Sequence, residues 1–229
     1  MPVMIQQGKE KMMSHPYPDH RIRKTHRGIV LFIFILLFSF GCVSSETKSS
    51  SIISPTKPSP PPEKKITLPI FEFPIPQNKW EKNYLGVSGS GNCKITQINT
   101  SVLIIEVFSM YCPHCQRSAP FVNDLFQTIQ GRRDLKEQIK MIGIGVGNSP
   151  YEVDLFKNKY GILFPLFPDQ DGSISKMLGV SGTPTFIGAR INRDGTTERF
   201  YFTSGELTDA AIFLSELLNL SGLKQEDKQ

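Results

Sequence analysis

Cys112-Pro113-His114-Cys115 is the segment of this 229-residue chain whose residue types and spacing can do chemistry with no further assembly. Two thiols separated by two residues can close a small disulfide with little backbone movement. The reactive form of such a thiol is the thiolate, so its surroundings decide its reactivity. Upstream, Val102–Phe108 is a nearly continuous apolar, β-branched run, which predicts a central strand buried on both faces. Downstream, residues 112–130 place Phe121, Val122, Leu125, Phe126 and Ile129 on one helical stripe. Cys112 therefore falls at a strand-to-helix junction, where unpaired amide N–H groups and the positive end of the helix dipole stabilise negative charge. Pro113 suits the first helical turn, which needs no donor there. Cys115, one turn in, is expected to be more buried and to act as the resolving thiol.

Zinc is the first competing use of a C-x-x-C pair. The inventory opposes it: the histidines are His15, His20, His26 and His114, and Cys93 is the one further cysteine beyond residue 42. No metal site is expected. Glu106, six residues before Cys112, is predicted to be a buried carboxyl with a raised pKa that exchanges a proton with Cys115. The alternative is a Glu106 at a sheet edge in water.

The elements that must position these residues lie toward the C-terminal side of the chain. Arg21, Arg23, Lys24 and Arg27 precede an apolar run at 29–40 and then Gly41-Cys42, the layout of a secretory signal. That run is about 12 residues, against the roughly 20 a membrane-spanning helix needs. Ser39-Phe40-Gly41-Cys42 resembles the lipobox of bacterial lipoproteins, which implies a lipidated Cys42; ordinary cleavage nearby and an uncleaved anchor are the alternatives. Residues 43–64 are Ser, Thr or Pro at fourteen of 22 positions and cannot bury a core, so they read as a tether. With three prolines, 66–80 is expected to lie as extended chain on the surface of a domain spanning 82–223, and 224–229 as a flexible tail. Within that domain 140–146 reads as a second buried strand, Pro150–Tyr160 as a helix, Thr185–Ile191 and 198–203 as a hairpin around Asn192-Arg193-Asp194-Gly195, and 207–220 as a last helix stopped at Gly222. This pattern predicts an α/β fold with a mixed β-sheet flanked by helices on both faces.

Residues 106–115, Glu-Val-Phe-Ser-Met-Tyr-Cys-Pro-His-Cys, and 179–185, Gly-Val-Ser-Gly-Thr-Pro-Thr, together resemble the thioredoxin superfamily, and within it the extracytoplasmic TlpA/ResA-like thiol-disulfide oxidoreductases. The resemblance spans roughly 85–220 and implies a thioredoxin-like fold and a redox-active Cys112-Cys115 disulfide with no other cofactor. It also implies that Pro184 is the family's cis-proline beside the cysteines and that the Thr183 backbone contacts substrate. Tyr111, a further substrate-contact candidate, stands where the family usually has Trp. Pro113-His114 is similar to the dipeptide of DsbA, which implies tuning toward the oxidising end of a range from about −270 mV for thioredoxin to about −120 mV for DsbA; a TlpA-like scaffold that overrides the dipeptide is the alternative. Cys93 is expected to be a buried free thiol in an N-terminal hairpin, or else a third redox partner.

The implied function is disulfide exchange on the thiols or disulfides of exported proteins, with a membrane-bound thiol-disulfide electron donor or acceptor as partner and cytochrome c maturation as a narrower possibility. Two other classes compete. A thiol peroxidase of the peroxiredoxin kind shares the fold, but its Pro-x-x-x-Thr-x-x-Cys signature meets Ser109 and Ile105 here in place of Thr and Pro. A non-catalytic copper carrier would have a wider C-x-x-x-C and a distal histidine. The net charge of +5 at first suggests nucleic acid, but residues 1–41 hold six of the 26 Lys/Arg and two of the 21 Asp/Glu. Most of the basicity thus sits in the export signal, and no nucleic-acid partner is expected.

Overall fold

The structure is a computed structural model, and it describes residues 66–223. The signal at 1–41, Cys42 with its expected lipid, the tether through residue 65 and the tail at 224–229 lie outside the described residues. The elements run β1 (Ile66–Thr67), β2 (Glu72–Pro74), α1 (Lys79–Leu85), β3 (Asn92–Lys94), β4 (Val102–Phe108), α2 (Pro113–Gly131), α3 (Arg133–Lys136), β5 (Ile139–Val146), α4 (Pro150–Tyr160), β6 (Leu166–Asp169), α5 (Ser173–Met177), β7 (Thr185–Ile191), β8 (Thr197–Ser204) and α6 (Ala210–Ser221).

The predicted central strand is central. All seven residues of β4 are buried, and the six-stranded sheet has the order β1-β8-β7-β4-β5-β6. β4 pairs parallel with β5 and antiparallel with β7, so the sheet is mixed. A run buried on both faces reads as continuous hydrophobicity, which is why β4 and β5 were legible in the sequence. At Gly145 of β5 an added Cβ would lie 2.9 Å from Val153 Cγ2, so the glycine lets α4 sit close on the sheet. α4 opens with a capping box in which Ser149 and Glu152 satisfy each other's backbone N–H, and it closes on Gly161 at φ 61°. α6 starts at Ala210 rather than at the expected 207, because Asp209 accepts from the N–H groups of Ala211 and Ile212 and so fixes the cap. It ends at Gly222, φ 70°, as expected.

The segment 66–80 differs from expectation. It is extended, but it does not lie on the surface of the folded unit: Leu68, Phe71 and Phe73 are 1%, 3% and 1% exposed. β1 pairs with β8, and the Phe73 ring sits 4.4 Å from that of Phe167. The physical reason is that Pro69, Pro74 and Pro76 forbid a helix and an interior strand but do not forbid burial; alternate apolar side chains still turn inward. β3 pairs with β2 and carries Cys93 opposite Phe73. Cys93 is a buried free thiol, and burial first, with Glu72 nearby, pushes it above its ordinary pKa.

Because Phe73 is a fully buried side chain of this segment, truncating it leaves a cavity the sheet cannot close. Phe73→Ala is expected to cost about 3–5 kcal/mol, read as a lowered urea midpoint with an unchanged slope. A surface-lying segment would show almost no change.

Candidate active site

β4 ends at Phe108, and four residues later Cys112 forms the N-cap of α2 with Pro113 in the first turn. The intervening loop is held from two sides. Met110 donates its backbone N–H to Asn148 Oδ1 at 2.8 Å, and the Gln116 side-chain amide donates to the Met110 carbonyl at 2.9 Å. The β4–β7 register sets Val107 opposite Thr185, which brings Thr183 and Pro184 just beyond the end of β4 and against the cysteines. The Thr183–Pro184 peptide is cis. The Cys112 thiol donates to the Thr183 carbonyl at 3.2 Å across 71 residues of sequence.

The two thiols are free and differ in exposure, Cys112 being partly exposed and Cys115 fully buried. Partial burial alone would raise the pKa of Cys112, and it is the largest single influence on it. Hydrogen bonds from the Thr183 side chain, from the backbone N–H and the thiol of Cys115 and from the backbone N–H of His114 together outweigh it, so Cys112 lies below its ordinary value. Burial pushes Cys115 strongly the other way, and its contact with Cys112 adds to the rise. Glu106 lies mid-strand in β4 between Phe186 of β7 and Gly143 of β5, 2% exposed. Burial pushes its carboxyl up to about 8.

Other sequence-predicted residues fall around this centre. His114 reaches Cys112 through its backbone N–H, while its ring turns outward: Nδ1 contacts Glu206 and lies 2.9 Å from Nη2 of Arg117. Tyr111 is 65% exposed beside the cysteines, and its hydroxyl donates to Glu152, which completes the α4 capping box with Ser149. Sequence reasoning missed Arg117, Glu206, Asn148 and Glu152. Arg117 had a signal, standing three residues after His114 and so on the same helical face. Glu206 had none, because it arrives from a loop about ninety residues away.

A partly exposed thiol with a depressed pKa, touching a buried thiol with a raised one, can attack a disulfide or accept one and then pass it to its neighbour. The arrangement needs no bound group to do so.

The model of the AhpC/TSA family matches residues 76–203, more than half of the sequence. The chain belongs to the AhpC/TSA family. Among curated relatives, this AhpC/TSA member is 23% identical over 92 residues to the thiol-disulfide oxidoreductase ResA of Geobacillus thermodenitrificans, covering 40% of the chain and 50% of the relative. It is 22% identical over 120 residues to ResA of Halalkalibacterium halodurans, covering 52% and 62%. The chain thus spans only about half the length of the curated relatives it matches. Among solved structures it is similar to a Chlorobium tepidum protein assigned as thiol:disulfide interchange protein DsbE, with TM-score 0.52, 19% identity, and 70% and 99% of the two chains covered. The expected thioredoxin-like fold is therefore present.

The thiol asymmetry has a direct consequence. At neutral pH in the native protein, iodoacetamide is expected to label Cys112 at least tenfold faster than Cys115 or Cys93. Peptide mass spectrometry over a time course reads this, and equal rates for Cys112 and Cys115 would show that the asymmetry is absent in solution.

Proposed function

We propose that this AhpC/TSA protein is a thiol-disulfide oxidoreductase that acts on the thiols or disulfides of exported proteins. The observation that carries the reading is the Cys112–Cys115 pair itself: an attacking thiol at a helix N-cap, beneath the carbonyl of Thr183, touching a buried resolving thiol. Cys112 as thiolate attacks one sulfur of a substrate disulfide, forming a mixed disulfide and releasing the other substrate sulfur as a thiolate. Cys115, once deprotonated, attacks Cys112, which frees the substrate as dithiol and leaves the Cys112-Cys115 disulfide. The reverse sequence oxidises a substrate dithiol. The likeness to ResA proteins supports disulfide exchange; a role in cytochrome c maturation is its narrowest form.

Glu106 is the proton acceptor for Cys115 in this reading. Its buried carboxyl is positioned in the strand that leads to the pair, and a group that changes charge near pH 8 is well poised to exchange a proton with a reluctant thiol. Exposed Tyr111, with the Thr183 backbone and Pro184, forms the face on which a substrate segment would lie. The basic flank, apolar run and Gly41-Cys42 support export and a lipid anchor at Cys42, with residues 43–64 as tether; the redox partner would then be a membrane-bound thiol-disulfide carrier. A second reading, thiol peroxidase, draws on the family's name and on a likeness to peroxidoxin BcpB of Mycobacterium tuberculosis, TM-score 0.50 at 15% identity over 70% of this chain and 97% of the other. Ser109 is an allowable swap for the Thr of its signature, but Ile105 stands where its Pro would sit, and the contact between Cys112 and Cys115 favours exchange.

Cys115→Ala in cells is expected to accumulate mixed disulfides on Cys112 that reductant releases, with exported proteins as the trapped partners. Recovery of none, together with rapid hydrogen peroxide consumption dependent on Cys112, would replace this reading by the peroxidase. Closure of the pair should also depend on the Glu106 charge. Below about pH 8 the carboxyl is protonated and cannot accept the Cys115 proton, so the rate of closure is expected to rise as pH passes through that value. In Glu106→Gln the inflection disappears and the rate above it falls by roughly a hundredfold; an unchanged stopped-flow pH profile would remove Glu106 from the mechanism.

A further inference from the structure

Glu206 lies in the loop between β8 and α6, and the backbone on both sides of it is tied to the redox centre. Gly205 donates its N–H to the Pro184 carbonyl at 2.9 Å. Leu207 donates its N–H to Ser118 Oγ at 3.0 Å, and Ser118 is a fully buried residue of α2. The carboxylate between these two anchors is thus delivered to the outer face of the first turns of α2, where His114 and Arg117 stand. There a single oxygen, Oε1, accepts from Arg117 Nε at 2.9 Å, contacts Arg117 Nη2 and meets His114 Nδ1. Arg117 Nη2 also lies 2.9 Å from that imidazole nitrogen.

This cluster does little for stability. Arg117 and His114 are 55% and 60% exposed at the side chain, and ion pairs that open to water contribute almost nothing. Its effect falls elsewhere. Arg117 stands five residues after Cys112 on the helix that Cys112 caps, where its charge favours a thiolate at the sulfur, and it is in turn paired to Glu206.

We propose that Glu206 is a positioning residue of the redox pair, which holds Arg117 in place on the helix that Cys112 caps and, by its own negative charge, limits how far the guanidinium stabilises the Cys112 thiolate. The other groups that bear on Cys112 are Cys115 and the His114 backbone N–H within α2, and the Thr183 hydroxyl and carbonyl from the Pro184 loop; on the α4 side Tyr111 is paired to Glu152. Asp209 and Glu216 line the groove of about 210 Å³ behind Glu206; Asp209 is committed to capping α6 and Glu216 to the Tyr201 hydroxyl. Glu206 is therefore the carboxylate whose loss changes the charge felt at Cys112 without dismantling a cap. A Gln in its place keeps an oxygen to accept from Arg117 and removes only the charge.

The test is the pH dependence of iodoacetamide alkylation at Cys112 in the full chain. Glu206→Gln is expected to lower the apparent pKa by about half a unit, since one negative charge is removed from a partly solvated site. Arg117→Met should raise it by a similar amount, and the double variant should return to the wild-type profile. In parallel, the equilibrium of Glu206→Gln with glutathione should shift about threefold toward the dithiol, because a stabilised thiolate favours the reduced form. An unmoved or raised pKa in Glu206→Gln overturns the proposal. If that variant does not fold, an unmoved pKa in Arg117→Met overturns it equally, and a raised one supports it. The inference rests on Cys112 being the attacking thiol of an oxidoreductase, but alkylation reports thiol acidity alone. A shifted profile in a protein that exchanges no disulfides would sink the functional reading and spare Glu206; an unshifted profile in an active protein would do the reverse.

Discussion

A thiolate becomes stable in a protein only where donors outweigh the loss of water, and here the donors are the Thr183 side chain, the Cys115 thiol and the backbone N–H groups of His114 and Cys115, gathered where the N-cap of α2 meets the Thr183–Pro184 turn. Two segments 71 residues apart have to meet within hydrogen-bonding distance. The antiparallel pairing of β4 with β7 is what makes them meet, because the C-terminal end of one strand lies beside the N-terminal end of the other. The buried β4 residues, the Asn148 brace on Met110 and the anchors around Glu206 all serve to hold that junction.

Burial then divides the labour. Cys112 keeps some water and several donors, and its pKa falls; Cys115, three residues on, loses the water, its hydrogen bonds do not make up for it, and its pKa rises. Placing the two thiols three residues apart, one at the N-cap and one inside the first turn, makes this difference possible while keeping them in contact. Glu106 in the adjoining strand is subject to the same desolvation, which raises a carboxyl as surely as a thiol. The same physics acting on three groups gives one acidic thiol and two reluctant acids. The fold alone would not have revealed this, since oxidoreductases and a peroxidoxin share the architecture.

Much of this was legible in the residues. β4, β5 and α4 carry strong periodic or continuous apolar patterns, and α4 has its cap written as Ser149-Pro150 with Glu152. The cysteine spacing and the burial of Glu106 in an apolar run were equally plain. What escaped were short elements whose burial is tertiary. β6 is four residues with a proline in it, tolerated because it is an edge strand. The segment 66–80 looked like surface chain because prolines interrupt it, yet its alternate apolar side chains find the core.

The sequence by itself determined that a reactive dithiol sits at a strand-to-helix junction, because residue type, spacing and helix chemistry are local. The three-dimensional structure decided everything that depends on distant partners: that the ring of His114 turns to Glu206 rather than to the thiol, that Arg117 joins it, and that Asn148 and Thr183 fix the loop and the sulfur. Hydrogen bonds and charges act over a few ångströms of space, and no pattern along the chain records which residues separated by ninety positions will share those few ångströms.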